Sequence, residues 1–420
     1  MKAVIVSTGD EVLNGEIADT NAAWLAERLL EMGVEILRHV AVGDAEGPIE
    51  EVVREAARRC HLVVVTGGLG PTEDDLTRHA LAKAAGVPLE LHEESLAQIE
   101  ERFCRFGRPM PPQNRIQAMI PQRAMVLPNS EGTAPGFIAR CDDAHVAVLP
   151  GVPREMEVMF EKHLAPFILS LPVERRAVRV ERLQTYGIPE SLVNEKLGHL
   201  MSRAANPLIG LRVHGGVITV KLLATGHDAD VAARVLAPAV EEAERILGEA
   251  VFGRGDETLE AAVARLLEGR GKTLAVAESC TGGLIGHLLT QVSGISRFLR
   301  EDLVTYSNEA KVELLGVSPQ ALEAAGAVSE PVAAAMAEGV RRRARADLGL
   351  STTGIAGPTG GTLEKPVGLV YVGLATEAAT RVGRLQLVGE RAIIKERAAR
   401  SALNLLRLHL LKLGDWSKGS

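Results

Sequence analysis

Ser279 stands in the stretch Ala277-Glu-Ser-Cys-Thr-Gly-Gly283, and Lys311 closes the stretch Tyr306-Ser-Asn-Glu-Ala-Lys further along. A serine hydroxyl becomes a nucleophile only when a base takes its proton. The spacing of Leu284, Ile285, Leu288, Leu289 and Val292 predicts a helix after the glycines, and His287 lies well inside it, ~12 Å from Ser279. That distance argues against a histidine base. Lys311 is the better base candidate, provided burial lowers its pKa, with Tyr306 close by in sequence. Thr353 and the backbone amides near Gly354 or Gly282 can supply an oxyanion hole, and Arg391 can clamp a phosphate. A plainer account also serves, with Ser279 as a helix cap, Lys311 solvated and Tyr306 in the core. Cys280 is a third option as the nucleophile.

A second constellation is Thr66-Gly-Gly-Leu-Gly-Pro-Thr72-Glu-Asp-Asp75. Gly67, Gly68 and Gly70 let backbone amides approach a ligand, and Asp74 and Asp75 can hold a hard divalent ion. Asp10 and Glu11 follow the first strand, with Asp19-Thr20-Asn21 close behind. A turn with helix-capping acids explains the same residues equally well. Thr66-Gly-x-x-Gly-Pro-Thr72 and Thr353-Gly-x-x-Gly-Pro-Thr359 have the same spacing without matching flanks, which predicts two similar ligand-cradling loops and two ligand sites.

The elements that position these residues are legible from apolar runs. In the first third, strands at 3–6, 35–42, 61–65 and 146–149 alternate with helices at 21–32 and 48–59, the pattern of an α/β doubly wound sheet. Ligands of such sheets sit beyond the carboxyl ends of the strands, where both Asp10 and the Thr66 loop fall. From Pro172 the character changes to a small α+β unit, with strands at 179–185 and 217–224 and helices at 189–201 and 228–247. Gly253-Arg-Gly255 reads as a hinge. A third, α/β unit begins near Thr258, with strands at 274–277, 303–306, 348–353, 369–375 and 383–388 and a last helix over 394–411. Arg341, Arg342, Arg343 and Arg345 read as a solvated helix end, with a functional patch as the alternative.

At 420 residues the chain is too long for one core. A net charge of −7 gives no electrostatic footprint for nucleic acid, and the middle unit lacks a basic Gly-x-x-Gly loop, so no direct nucleic-acid binding is expected. No apolar run reaches membrane-spanning length and the start is too short for a signal peptide, so a cytoplasmic protein with no membrane partner is expected. The cysteines at 60, 104, 141 and 280 show no zinc spacing. A homodimer is expected on base rates alone.

Several motifs together resemble the CinA family. Gly9-Asp-Glu-Val-Leu-Asn-Gly15, Asp19-Thr-Asn21, the Thr66–Thr77 stretch and Leu149-Pro-Gly-Val-Pro-Arg-Glu155 are similar to its molybdopterin-binding-like domain, here 1–171. Segment 172–253 is similar to its KH-like middle domain. The stretches 277–283, 306–311, 353–358 and Gly389-Glu-Arg391 resemble its C-terminal domain, here 258–413.

The resemblance implies a nicotinamide mononucleotide deamidase at the C-terminal end, with Ser279 as nucleophile assisted by Tyr306 and Lys311. Thr353, Thr281, Gly282, Gly283, Gly354, Gly357 and Arg391 would line that site, which needs no cofactor. At the N-terminal end it implies hydrolysis of ADP-ribose to AMP and ribose 5-phosphate, with Gly67, Gly68, Gly70, Thr72, Asn21 and Gly151 against the substrate. Asp10, Glu11, Asp74 and Asp75 would be ligands of a divalent metal such as magnesium, with a monovalent cation as a further candidate. Relatives sharing this fold bind molybdopterin, so a nucleotide- or pterin-binding sensor, or an adaptor in competence or DNA recombination, is the alternative.

Overall fold

The structure is a computed structural model describing residues 1–202 and 204–411. The last two residues of the expected third domain, 412 and 413, lie outside the described residues. The chain divides into two compact units, Met1–Arg179 with Thr225–Ala233, and Val180–Ala224 with Arg234 onward.

In the first unit, β1 (Lys2–Thr8), β2 (Glu35–Val42) and β3 (Leu62–Thr66) are followed by a small pair, β4 (Leu89–Leu91) and β5 (Met119–Pro121). Then come β6 (Met125–Leu127), β7 (Gly136–Cys141) and β8 (Ala144–Leu149). The main sheet has the order β2-β1-β3-β8-β7-β6, parallel from β2 to β8 and antiparallel beyond. Alternate residues of each strand face opposite ways. Val4, Val6, Val63, Val65, Val146 and Val148 accordingly pack against helices Glu46–Ala57 and Thr77–Ala85. Ala3, Ile5, Leu62, Val64, Ala147 and Leu149 pack against Thr20–Glu31 and the helical stretch from Pro153 to Ser170. Near-continuous apolar strands are what a sheet covered on both faces requires, and the expected doubly wound arrangement is present.

The middle segment carries β9 (Ala177–Thr185), β10 (Leu208–His214), β11 (Val217–Gly226) and β12 (Val251–Arg254) in the order β10-β11-β9-β12. Ile218, Val220, Leu222 and Ala224 form one buried face of β11, packed on helices Glu190–Leu197 and Ala229–Leu247.

The C-terminal segment has β13 (Leu274–Glu278), β14 (Leu299–Val304), β15 (Leu348–Gly354), β16 (Leu369–Ala375) and β17 (Thr380–Gln386), ordered β14-β13-β15-β16-β17. β13 is parallel to both its neighbours, and β15-β16-β17 run antiparallel. Helices Leu259–Arg270, Leu284–Thr290 and Arg391–Leu410 cover one face, and Glu330–Ala344 covers the other. Tyr186 joins the first of these cores, its hydroxyl bonded to Ser401 and the Arg397 carbonyl.

Two sequence expectations need correction. The strand expected at 303–306 runs instead from Leu299 to Val304; the ladder ends at Thr305, whose N–H donates to the Glu278 carbonyl, and Tyr306 is beyond it. The strand expected at 383–388 starts at Thr380, because the hairpin pairs Thr380 with Ala375 and so fixes its register.

Candidate active site

Ser279 follows directly on β13, at the carboxyl end of the parallel strands, and its N–H donates to the Thr352 carbonyl at 3.0 Å. Lys311 comes from helix Asn308–Leu315, capped by Ser307, whose hydroxyl accepts the Ala310 N–H. From the first turns of that helix the side chain folds back under the strand ends. It is 1% exposed, with Nζ 3.2 Å from Ser279 Oγ. The carbonyls of Thr305, Tyr306 and Ser307 accept from Nζ at 2.8, 3.2 and 3.4 Å.

Burial holds the Lys311 pKa below the ordinary lysine value, with Glu309 opposing. In its neutral form the amine would donate to two of these three carbonyls and turn its lone pair toward the serine hydroxyl. Burial also pushes the Cys280 thiol up to about 12, so it is not a thiolate at neutral pH.

The glycine turn is closed on itself. The Gly282 N–H donates to the Ser279 carbonyl, and the Gly283 and Gly286 N–H groups donate to the two oxygens of Glu278, each at 2.9 Å. Thr281 and Thr352 share a hydroxyl–hydroxyl bond of 2.7 Å. These amides and this hydroxyl are therefore committed within the protein, against the expectation that Thr281, Gly282 and Gly283 bind a ligand through them. Thr353 is also turned away, its hydroxyl donating to the Ala327 carbonyl. The reason is strand alternation: Glu278 pairs with Thr352, so Thr352 is the threonine beside the nucleophile turn.

Tyr306 is exposed, and its hydroxyl accepts from Arg391 Nη2 at 3.1 Å while only its backbone carbonyl reaches Lys311. Arg391 Nη1 donates to the Gly357 carbonyl at 2.7 Å. Arg391 lines an apolar pocket of about 1070 Å³ with Leu284, Pro358 and Lys395. Lys395 also leans over the turn, with Nζ 3.4 Å from where a Gly282 Cβ would be. It lies one helical turn after Arg391, and that spacing is the signal that was available for it in the sequence.

The two glycine loops are not alike. β3 ends at Thr66, and Gly67 and Gly68 then turn with φ of 109° and 63°. β15 instead continues through Gly354, paired with Val370, and the first positive φ comes at Gly357. Equal spacing did not impose equal conformation, because the second loop is pinned by an antiparallel partner that the first lacks.

At the N-terminal site, a Cβ on Gly67 would fall 2.4 Å from the Thr8 carbonyl and one on Gly68 2.1 Å from Thr77 Oγ1, so both positions need glycine. The loop lines a pocket of about 670 Å³ with Glu11, Asp44, Asp74, Thr72 and Gly151. Asn21, in the first turn of helix Thr20–Glu31, ties the ends of β3 and β8 together, donating to Thr66 Oγ1 at 3.0 Å and to the Gly151 carbonyl at 2.8 Å.

Arg78, which the sequence reading passed over, is fully buried behind the loop and donates to the carbonyls of Leu69 and Gly70. Burial lowers its pKa to about 10, with Asp75 opposing. Asp44, also missed, accepts the Asp10 N–H. Burial, aided by the charges of Asp10, Glu11 and Asp74, holds the Asp44 carboxyl above its ordinary value despite that bond.

The four carboxylates expected as metal ligands are not brought together as one set. Asp75 accepts from the Gly70 N–H at 2.7 Å and from the Thr72 N–H and hydroxyl at 2.9 and 2.6 Å, so it staples the loop. Asp10 accepts the Asp44 N–H at 3.1 Å, completing a clasp between the ends of β1 and β2. Glu11 and Asp74 alone of the four keep side chains without such a bond among the described residues. A divalent cation needs several converging oxygens, and among the described residues no three His, Cys, Asp or Glu side chains are grouped to hold one. The side chains in place do not fit a preassembled metal centre.

Among the described residues no helix is long and apolar enough to cross a membrane. Three family models match the chain: the CinA C-terminal domain over residues 256–410, a probable molybdopterin binding domain over 4–170, and the damage-inducible protein CinA KH domain over 181–253. A CinA-like protein of Anaeromyxobacter sp. (strain Fw109-5) is 47% identical, covering 97% of this chain and 98% of its own. A CinA-like protein of Kosmotoga olearia is 43% identical over 98% of this chain and 100% of its own. A putative competence-damage inducible protein of Clostridium novyi is 40% identical over 99% and 100%. With likeness at that level running the length of both partners, the chain belongs to the CinA family.

Proposed function

We infer that the C-terminal site hydrolyses the carboxamide of nicotinamide mononucleotide, and that the N-terminal pocket takes ADP-ribose and cleaves it to AMP and ribose 5-phosphate. The observation that carries the first half is a buried lysine whose Nζ lies 3.2 Å from Ser279 Oγ. Neutral Lys311 takes the hydroxyl proton as Oγ attacks the carboxamide carbon, giving a tetrahedral intermediate. The lysine ammonium then returns a proton to the nitrogen, the C–N bond breaks and ammonia leaves. Water, deprotonated by the same lysine, opens the acyl-enzyme to nicotinic acid mononucleotide and frees Ser279. Arg391 and Lys395 are the cations available to the substrate phosphate, and Tyr306 keeps Arg391 in place. Ammonia release from nicotinamide mononucleotide should be lost in Ser279→Ala and kept in Cys280→Ala. The reverse pattern would make the cysteine the nucleophile.

For the N-terminal pocket, the glycine loop held by Arg78 and Asp75 suits a pyrophosphate. The test is AMP formation from ADP-ribose with and without a chelator. A second reading, a nucleotide- or pterin-binding sensor, is favoured by the use of Asp10 and Asp75 as loop clasps. Saturable ADP-ribose binding without AMP formation, with or without added magnesium, would select it.

A further inference from the structure

Beneath the nucleophile turn lies a pair of acids that the deamidation chemistry does not use. Glu278 is the last residue of β13 and is 0% exposed, yet no lysine or arginine pairs with it among the described residues. Its two oxygens instead accept the Gly283 and Gly286 N–H groups. Helix Leu284–Thr290 begins at Gly283, which has no side chain to cap it, so the preceding strand supplies the cap.

Asp302 reaches the same place from β14. Val276 pairs with Asp302 and Glu278 with Val304, so Glu278 and Asp302 stand diagonally on one face of the sheet, within hydrogen-bonding reach of each other. Gly286 closes the space above them, since a Cβ there would fall 1.7 Å from Asp302 Oδ2. Asp302 Oδ1 is buried with no partner. Two carboxylates so close in a buried setting resist being charged together, so one of them keeps its proton well above the usual carboxylate range.

We propose that Glu278 and Asp302 share one proton and act as a positioning pair, the charged Glu278 holding the turn that presents Ser279 while protonated Asp302 holds Glu278. The kinetic part of the test rests on the deamidase reading. No bond to substrate is involved; the proton stays on Asp302 and is shared toward Glu278. Burial and the Glu278 charge raise Asp302 to about 7, which puts its loss of a proton in the neutral range. The other titratable groups facing this pair and its turn are Cys280, whose thiol the Glu278 charge helps to keep protonated, Lys395, which leans over Gly282, and the exposed Arg300 on β14 and His287 on the helix. Above that range the two carboxylates repel and the turn loosens.

The full-length protein is compared with Asp302→Asn, which keeps a donor that does not titrate, and with Glu278→Gln, which loses one acceptor. Ammonia release is measured from pH 6 to 9, and amide hydrogen exchange is followed in residues 281–288. The ratio of kcat for Asp302→Asn over wild type should stay near one at acid pH and rise about tenfold across the two pH units above neutrality. Glu278→Gln should lower kcat by about ten- to a hundredfold with KM nearly unchanged, and speed exchange at Gly283 and Gly286 by a similar factor.

A flat kcat ratio together with wild-type exchange in both variants overturns the proposal. If the wild type releases no ammonia, the deamidase reading fails. The pH dependence of exchange, steeper in wild type than in Asp302→Asn, then decides the proposal by itself. Should Glu278→Gln fail to fold, Asp302→Asn carries the test.

Discussion

At Lys311 a buried amine has been placed where charge is costly and a lone pair is useful. Lys311→Met should abolish turnover, by about a thousandfold or more, because among the described residues Lys311 is the base that hydrogen-bonds Ser279 Oγ. The same change should leave stability at neutral pH equal or higher, by up to about 2 kcal/mol, since a well-packed apolar chain no longer desolvates an ammonium. The pH dependence has a definite sign. The folded-state pKa lies below the unfolded value of 10.5, so the unfolded chain binds more protons between the two. Stability therefore climbs as pH rises through that interval, and kcat climbs with deprotonation on the acid side. Denaturant midpoints for wild type and Lys311→Met, compared from pH 7 to 10, should converge as pH rises. Parallel curves would mean that Lys311 is not the group responsible.

At the scale of elements, the glycine loop after β3 shows why a carboxylate's role is hard to read from its position in the chain. Asp74 and Asp75 are neighbours with the same chemistry, yet Asp75 staples the loop through three bonds and Asp74 is exposed. Asp75→Ala should cost about 2–4 kcal/mol and lower the melting temperature of the N-terminal unit by about 5–10 °C. Asp74→Ala should shift it by no more than about 1 °C. A calorimetric scan of both variants, with and without chelator, separates a loop staple from a metal ligand. If Asp75→Ala melts like wild type, the loop does not depend on it.

Apolar runs made the strands legible, including the one that ends at Ser279, because a run buried on both faces needs no knowledge of its neighbours. Helix Asn308–Leu315 was not legible: its apolar residues Ala310, Val312, Leu314 and Leu315 are spread around the helix rather than gathered on one face, and only Ser307 as cap announces it. Arg78, Asp44 and the Glu278–Asp302 pair were missed for a different reason. Each is defined by strand register or by a loop folding back, and neither is written in local spacing.

For the molecule as a whole, charge decides which partners are open to it. The net charge of −7 opposes association with a polyanion, and the arginine run is partly neutralised where it stands. Arg343 pairs with Glu301 at 3.0 Å and Arg342 with Glu338 at 3.7 Å. Exposed pairs of this kind contribute little to stability, but they remove free cations from the surface. The middle segment matches a KH model by sequence, and yet no Gly-x-x-Gly occurs between residues 172 and 253, the loop through which such domains clamp a nucleic-acid backbone. We therefore expect no saturable binding of single- or double-stranded DNA below about 100 µM protein at physiological salt, in a fluorescence anisotropy titration of the full chain. Binding that appeared at low salt and vanished steeply with added salt would mark a local basic patch acting non-specifically. Binding that survived physiological salt would give the middle segment a role in nucleic-acid recognition that its charge and its loops do not foretell.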